Sequence, residues 1–207
     1  MDAKDRKAHW ENIYSTKTLL EVSWYQPTPE TSIRLIEETY ISKEAKIIDV
    51  GGGDSFLVDH LLELGYTNLT VLDISSAAIE RAKKRLGNKA ELVKWIISDI
   101  TKFQANEIYD VWHDRAAFHF LTAANEIKDY TVKLNSYTNE TAHLIIGTFS
   151  KEGPTKCSGI EITQYSETSL QEVFKQDWEQ TKNLNVIHRT PFKTEQAFVF
   201  SVFSKRC

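Results

Sequence analysis

Sulfur is scarce in this chain: 207 residues hold two cysteines, Cys157 and the terminal Cys207, and one methionine. Two cysteines are too few for a disulfide framework, so a packed core must hold the fold, and such usage suits a reducing cytoplasm. Cysteine and histidine nowhere cluster at metal-ligand spacing, and no metal site is expected. No apolar run approaches the length of a membrane span. The first residues, Met1-Asp2-Ala3-Lys4-Asp5-Arg6-Lys7, are charged and lack the apolar centre of a secretory signal. Basic excess is missing too. With 25 Lys and Arg against 29 Asp and Glu the net charge is −4, which argues against a general nucleic-acid binder, whose footprint is a basic face. Repeats, low-complexity tracts and linkers are absent. The length suits one domain with a full core, residues 1–28 forming an N-terminal helix and lid segment and residues 29–207 the body.

The most local absence is the most informative. From Gly51 to Glu80 there is no Lys or Arg, while Asp54, Asp59, Glu63, Asp73 and Glu80 are acidic. This stretch opens inside Lys46-Ile47-Ile48-Asp49-Val50-Gly51-Gly52-Gly53-Asp54-Ser55-Phe56, around which the chain is organised. An apolar run ends in an acid, glycines follow, and a helical pattern begins. That order reads as the strand, tight turn and helix of a nucleotide-binding α/β sheet. Gly51 and Gly53 let the backbone turn sharply and approach a ligand. The sixth position of the glycine pattern is Phe56, so the dinucleotide fingerprint is incomplete. A pyrophosphate beside Asp49 and Asp54 meets like-charge repulsion, whereas a ligand with ammonium and sulfonium groups is attracted. Asp73 lies about twenty residues past the glycines, the distance of an acid that grips a ribose hydroxyl. Ribose, adenine and two cationic centres together describe S-adenosylmethionine.

Those residues carry a family resemblance. Asp49-Val50-Gly51-Gly52-Gly53-Asp54-Ser55 resembles motif I of the class I S-adenosylmethionine-dependent methyltransferases. Val71-Leu72-Asp73-Ile74-Ser75 is similar to their motif II and Ile97-Ser98-Asp99-Ile100 to their motif III, in order and spacing over about residues 45–150. Ser55 replaces the common third glycine and is small enough to keep the turn. The resemblance implies an α/β fold: a doubly wound, mostly parallel seven-stranded sheet in three α/β/α layers, with a C-terminal antiparallel hairpin. The β-rich runs near residues 178–188 and 196–203 agree with that ending. It also implies cofactor contacts from Trp24, Asp49, Gly51, Gly52, Gly53, Asp73, Ile74, Asp99, Ile100 and His113. Asp99 is expected to accept adenine's amino group and Ile100 to flank the ring, although Asp99 has a competing role as cap of the Thr101-Lys102 turn. Trp24 and Tyr25 either plug the edge of the core or form a lid over the site, the reading that the resemblance favours.

A strand near residues 108–112 runs into His113-Asp114-Arg115-Ala116-Ala117-Phe118-His119-Phe120. Ligands in doubly wound sheets sit at the carboxyl ends of strands, so these polar residues are expected to face the methyl donor. Asp114 or His113 is then the general base, needed only where the nucleophile arrives protonated. Arg115 joins them as a catalytic candidate or helps position an anionic substrate; the bland alternative is a structural Asp114–Arg115 ion pair. His119 reads as a bonded core residue and Cys157 as a passive member of a mobile loop at residues 150–159. The Arg81, Lys83, Lys84, Arg85 cluster reads as a solvated face complementing its helix dipole.

For the acceptor, the segment after this strand lacks the Asn/Asp-Pro-Pro-Tyr sequence with which the superfamily methylates amide or adenine nitrogen. The aromatic lid and the Asp-Arg pair are similar to thiopurine and thiol methyltransferases, which implies a small thiol or other heteroatom acceptor. The alternatives are a protein lysine methyltransferase and a non-catalytic S-adenosylmethionine-binding subunit.

Overall fold

Alternating apolar runs and amphipathic helices bury both faces of each strand only when helices cover both sides of the sheet. The computed structural model describes residues 3–206 and takes that form. Five parallel strands, β1 (Lys46–Val50), β2 (Asn68–Asp73), β3 (Val93–Ile97), β4 (Tyr109–Arg115) and β5 (Thr138–Phe149), are separated by helical crossovers. A two-residue hairpin, β6 (Lys156–Cys157) with β7 (Ile160–Glu161), stands apart from the main sheet. The chain closes with the antiparallel pair β8 (Trp178–Arg189) and β9 (Glu195–Lys205). The seven-stranded order is β3-β2-β1-β4-β5-β9-β8. One face carries α1 (Ala3–Thr16), α2 (Glu30–Glu37), α3 (Leu57–Glu63) and α4 (Ser76–Leu86), packed through Trp10, Ile36, Leu57 and Ile79. The other carries α5 (Ala124–Ser136) and α6 (Glu167–Phe174), packed through Tyr130, Leu134 and Phe174.

From β1 the chain winds to β2 and β3 on one side, then to β4 and β5 on the other. That reversal parts the loops after β1 and β4 and opens a crevice at their carboxyl ends. Gly51 and Gly53 hold φ of +67° and +49° there, and the Gly51 and Gly52 N–H groups donate to Leu72 O at 2.7 and 3.2 Å. A Cβ on Gly52 would stand 2.6 Å from Asp49 Oδ2, so the turn has no room for a side chain. Gly65, at φ +87°, ends α3: the N–H groups of Gly65 and Tyr66 donate to Leu62 O and Leu61 O, the paired bonds of a Schellman motif.

Several sequence expectations need correction. β4 continues to Arg115, three residues past the expected end, because His113 and Asp114 pair with Asp49 and Val50 on β1, and Arg115 with Gly147 on β5. The expected loop at residues 150–159 contains β6, and buried Cys157 packs into the core on the α1–α4 face. Tyr40 lies past the end of α2 at φ +54° and is exposed. No helix among the described residues is long and apolar enough to cross a membrane.

Candidate active site

Three strands end in, or just before, a carboxylate. Asp49 on β1, buried, meets His113 Nδ1 through Oδ1 at 2.7 Å, and the other ring nitrogen of His113 lies 2.9 Å from Ser32 Oγ on α2. Asp73 ends β2 and accepts from Ser75 N at 2.8 Å. Burial pushes its carboxyl up to about 7, the charges of Asp54 and Asp49 add to the rise, and backbone N–H groups of Ser75 and Gly53 oppose it. Asp99, two residues past β3, accepts from Thr101 N and Thr101 Oγ1 through one oxygen and from Arg6 Nη2, at 3.0 Å, through the other. It therefore caps the Thr101 turn while lining the crevice. Gly51, Gly52, Ile74, Ile100, His113 and Trp24 line the same crevice as Asp49, Asp73 and Asp99, and Gly53 shapes the turn.

Residues the sequence reading did not assign to the site come from α1. Arg6, Trp10 and Tyr14 line the crevice. Trp10 packs edge-on against Trp24 at 5.6 Å and against Phe120 at 5.1 Å, and Tyr14 packs on Trp24 at 6.0 Å. The helix is tied down at both ends of the opening. Arg6 bonds Asp99 and Glu126, while Glu11 accepts from Ser76 N at 2.7 Å and Ala77 N at 2.9 Å at the start of α4. Burial alone would raise the Glu11 carboxyl, but hydrogen bonds from Ser76, Ala77 and Ser75 outweigh it and bring it to about 2. The spacing of Arg6, Trp10, Ile13 and Tyr14 along one helical face was the available signal.

Strand alternation decides the fate of the β4 residues. Successive side chains point to opposite faces, so His113 and Arg115 face α1–α4 while Asp114 faces α5. Asp114 does not line the crevice: it is fully buried and accepts from Ala117 N and Phe118 N, each at 3.0 Å, and from Tyr130 Oη at 3.0 Å. Burial lifts its carboxyl to about 6 against those bonds and the His113 ring. The expected role of Asp114 as acceptor base, and the ion pair with Arg115, do not fit this placement. His113 has both ring nitrogens engaged, which suits holding Asp49 more than moving a substrate proton. Arg115 reaches the crevice, donates from Nη1 to Trp24 O at 3.2 Å and lies over the Phe198 ring at 4.9 Å.

The charge reading also changes. Asp54 meets Arg81 Nη2 at 2.9 Å, and Asp59 meets Arg85 Nη2 at 2.7 Å. Those arginines were expected on a solvated face; instead α4 brings both back onto the acids after β1. Arg6 and Arg115 line the crevice as well, so it holds cations that counting along residues 51–80 could not reveal.

Comparison with known proteins adds to this geometry. A family described as Methyltransferase domain matches residues 41–194. A malonyl-[acyl-carrier protein] O-methyltransferase of Anoxybacillus flavithermus is 35% identical over 105 residues, 50% of this chain and 38% of that protein. The chain thus spans well under half the length of that relative. EEF1A lysine methyltransferase 2 of Danio rerio is 24% identical over 196 residues, 86% of this chain and 77% of that protein. Among solved structures, Burkholderia thailandensis 1,6-didemethyltoxoflavin-N1-methyltransferase, with its acceptor and S-adenosylhomocysteine bound, superimposes with a TM-score of 0.72 at 13% identity, covering 100% of this chain and 92% of that one.

Proposed function

The chain belongs to the Methyltransferase domain family, and on that premise we propose that it is an S-adenosylmethionine-dependent methyltransferase acting on a small-molecule nucleophile, a thiol or another heteroatom. The observation that carries the reading is the crevice itself. It lies at the switch point of the sheet, is lined by Asp49, Asp73 and Asp99 behind a glycine turn that admits no Cβ at Gly52, and is roofed by Trp10, Tyr14 and Trp24.

These residues suit the cofactor. Asp73 would take the ribose hydroxyls as acceptor, and the Gly51–Gly53 turn would let the backbone approach the amino-acid end, with Asp49 beside it. Arg6 already occupies one oxygen of Asp99, so the adenine amino group would share that carboxylate with Arg6. Ile74 and Ile100 would flank the ring. When bound, S-adenosylmethionine supplies a methyl group on a sulfonium, a leaving group that needs no activation. The chain contributes alignment and the exclusion of water, effects worth several kcal/mol. His113 fixes Asp49, and Ser32 fixes His113 in turn. Asp114 braces the turn at Ala117 and Phe118, so it positions the wall of the crevice and does not take a proton from the acceptor.

The aromatic roof favours a small acceptor, because a protein side chain would have to thread beneath α1. A second reading, protein lysine methylation, is favoured by the similarity to the zebrafish lysine methyltransferase over most of this chain.

Titration calorimetry tests the first step: S-adenosylhomocysteine should bind and NADH should not, and binding of NADH alone would overturn the proposal. Labelled methyl donor offered to a thiol and amine panel, then to lysate, tests the second. Label confined to a lysate protein would replace the small acceptor by the lysine reading.

A further inference from the structure

Among the described residues, the arginines around this crevice have anions, with one exception. Arg6 meets two carboxylates, and Arg81 and Arg85 meet one each. Arg115 makes no ion pair with any described residue, and its Nη2 is buried without a hydrogen-bond partner among them. An unmatched buried guanidinium is costly, since it cannot shed its charge as a lysine or histidine can. A second donor is stranded nearby. His119 is fully buried, and its Nδ1 accepts from Phe149 N at 3.3 Å, which places the ring proton on Nε2. That Nε2 has no partner among the described residues either. Burial, and then the charge of Arg115, hold the His119 ring neutral down to about 3, so it presents one N–H and no second charge.

The two donors are neighbours, since the charge of Arg115 acts on the His119 ring, but only Arg115 lines the crevice. Arg115 and Cys157 line the crevice, which Asp73 and Asp99 also line at the ends of β2 and β3. Burial pushes the Cys157 thiol up to about 11 in spite of Arg115, so it stays neutral and is no counter-ion. His188, the other imidazole in the field of Arg115, is held by Ser23 O at 2.7 Å. Among the described residues Arg115 meets the Trp24 carbonyl and the Phe198 ring, and no carboxylate pairs with it. A guanidinium at the crevice wall, with no ion pair and with a buried Nη2 left unused, is a receptor for an anionic oxygen group.

We propose that the methyl acceptor carries a carboxylate and that Arg115 is the residue that selects it. This rests on the small-acceptor reading above and names the class of molecule. A carboxylate held by a guanidinium gives up part of its nucleophilicity, so it is the handle, and the methyl group goes to another atom of the same molecule.

Benzoate and benzamide, matched in shape and differing in charge, serve as probes on the full chain saturated with S-adenosylhomocysteine. Calorimetry should give benzoate at least about tenfold tighter binding than benzamide, the ratio expected for a charged hydrogen bond. In Arg115→Met the preference should vanish, while S-adenosylhomocysteine affinity stays within about threefold, an energetic change under 1 kcal/mol. Without ligand, Arg115→Met should melt at or above the wild-type temperature, because it removes an unmatched charge, whereas a structural arginine would lower it. Equal binding of the two probes to wild type, or absence of binding by both, overturns the proposal without recourse to any variant. So does a preference that survives Arg115→Met. Loss of S-adenosylhomocysteine binding by the wild type would instead strike the methyltransferase reading.

Discussion

The two ends of the crevice differ in how their polar groups are matched. At the β1–β3 end the acids have donors: Asp49 meets His113, Asp54 meets Arg81, Asp73 meets Ser75 N, and Asp99 meets Arg6 and Thr101. At the β4 end Arg115 has a buried Nη2 with no acceptor among the described residues. Matched groups are held in place before a ligand arrives, so binding there costs little ordering. Unmatched groups gain most from the molecule that completes them. On the proposed reading, one end holds the cofactor in a fixed pose and the other discriminates among acceptors.

The largest effect should come from removing a matched acid. Asp114→Ala strands Ala117 N, Phe118 N and Tyr130 Oη together. A loss of about 3 kcal/mol, and of about 10 °C in melting temperature, is expected by scanning calorimetry. An unchanged melting temperature would show that matching carries no weight here, and the contrast with Arg115→Met would dissolve. Next, Asp73→Asn should weaken S-adenosylhomocysteine binding by about 2 kcal/mol, or about thirtyfold, since the amide accepts through one oxygen only. If Arg115→Met weakened it as much, the two ends would not be separate.

The third test uses pH. The Asp73 carboxyl stands near 7, above the ordinary carboxylate range. In the unliganded protein its contribution to stability is therefore fully present below the ordinary range and lost as pH rises through about 7. The cofactor's ribose needs the ionised acceptor, so affinity should fall as pH drops below about 7, approaching one proton taken up per ligand released. A flat affinity between pH 8 and about 5.5 would remove Asp73 from the contact. The smallest effect is expected of Glu11→Gln, about 0.5 kcal/mol of stability from the lost charge at the start of α4. With the Glu11 carboxyl at about 2, that contribution is present above the ordinary carboxylate range and fades as pH falls toward about 2. A variant as stable as wild type at pH 7 and pH 3 alike would show that α1 is docked by its aromatic face alone.

The sheet was legible in the sequence because strand, turn and helix signals fall in order from Lys46 onward and the first three strands end at or near an acid. The acids that line the crevice, Asp49, Asp73 and Asp99, followed from the same local signals. The acceptor end was not legible, for physical reasons that concern particular residues. Whether Asp114 faces the crevice depends on where β4 stops, and a strand three residues longer converts a polar loop into alternating faces. Arg81 and Arg85 answer acids 27 and 26 residues earlier in the chain, a pairing set by the packing of α4 and not by proximity in sequence. Arg6 is separated from Asp99 by 93 residues. The missing partner of Arg115 is a property of three dimensions altogether, since Asp114 stands beside it in the chain and turns the other way.

Four of the five tryptophans divide along the same line, while Trp95 on β3 is half-buried and donates to Ala90 O. Trp112 and Trp178 are fully buried, their indole N–H groups donating to Tyr130 Oη at 2.9 Å and Asn135 Oδ1 at 2.8 Å. Trp10 and Trp24 instead face the crevice, in contact with each other. Emission from the first pair reports melting of the α5–α6 layer, and emission from the second reports occupancy of the site. The protein thus carries two optical channels, one for unfolding and one for ligand, with no label added.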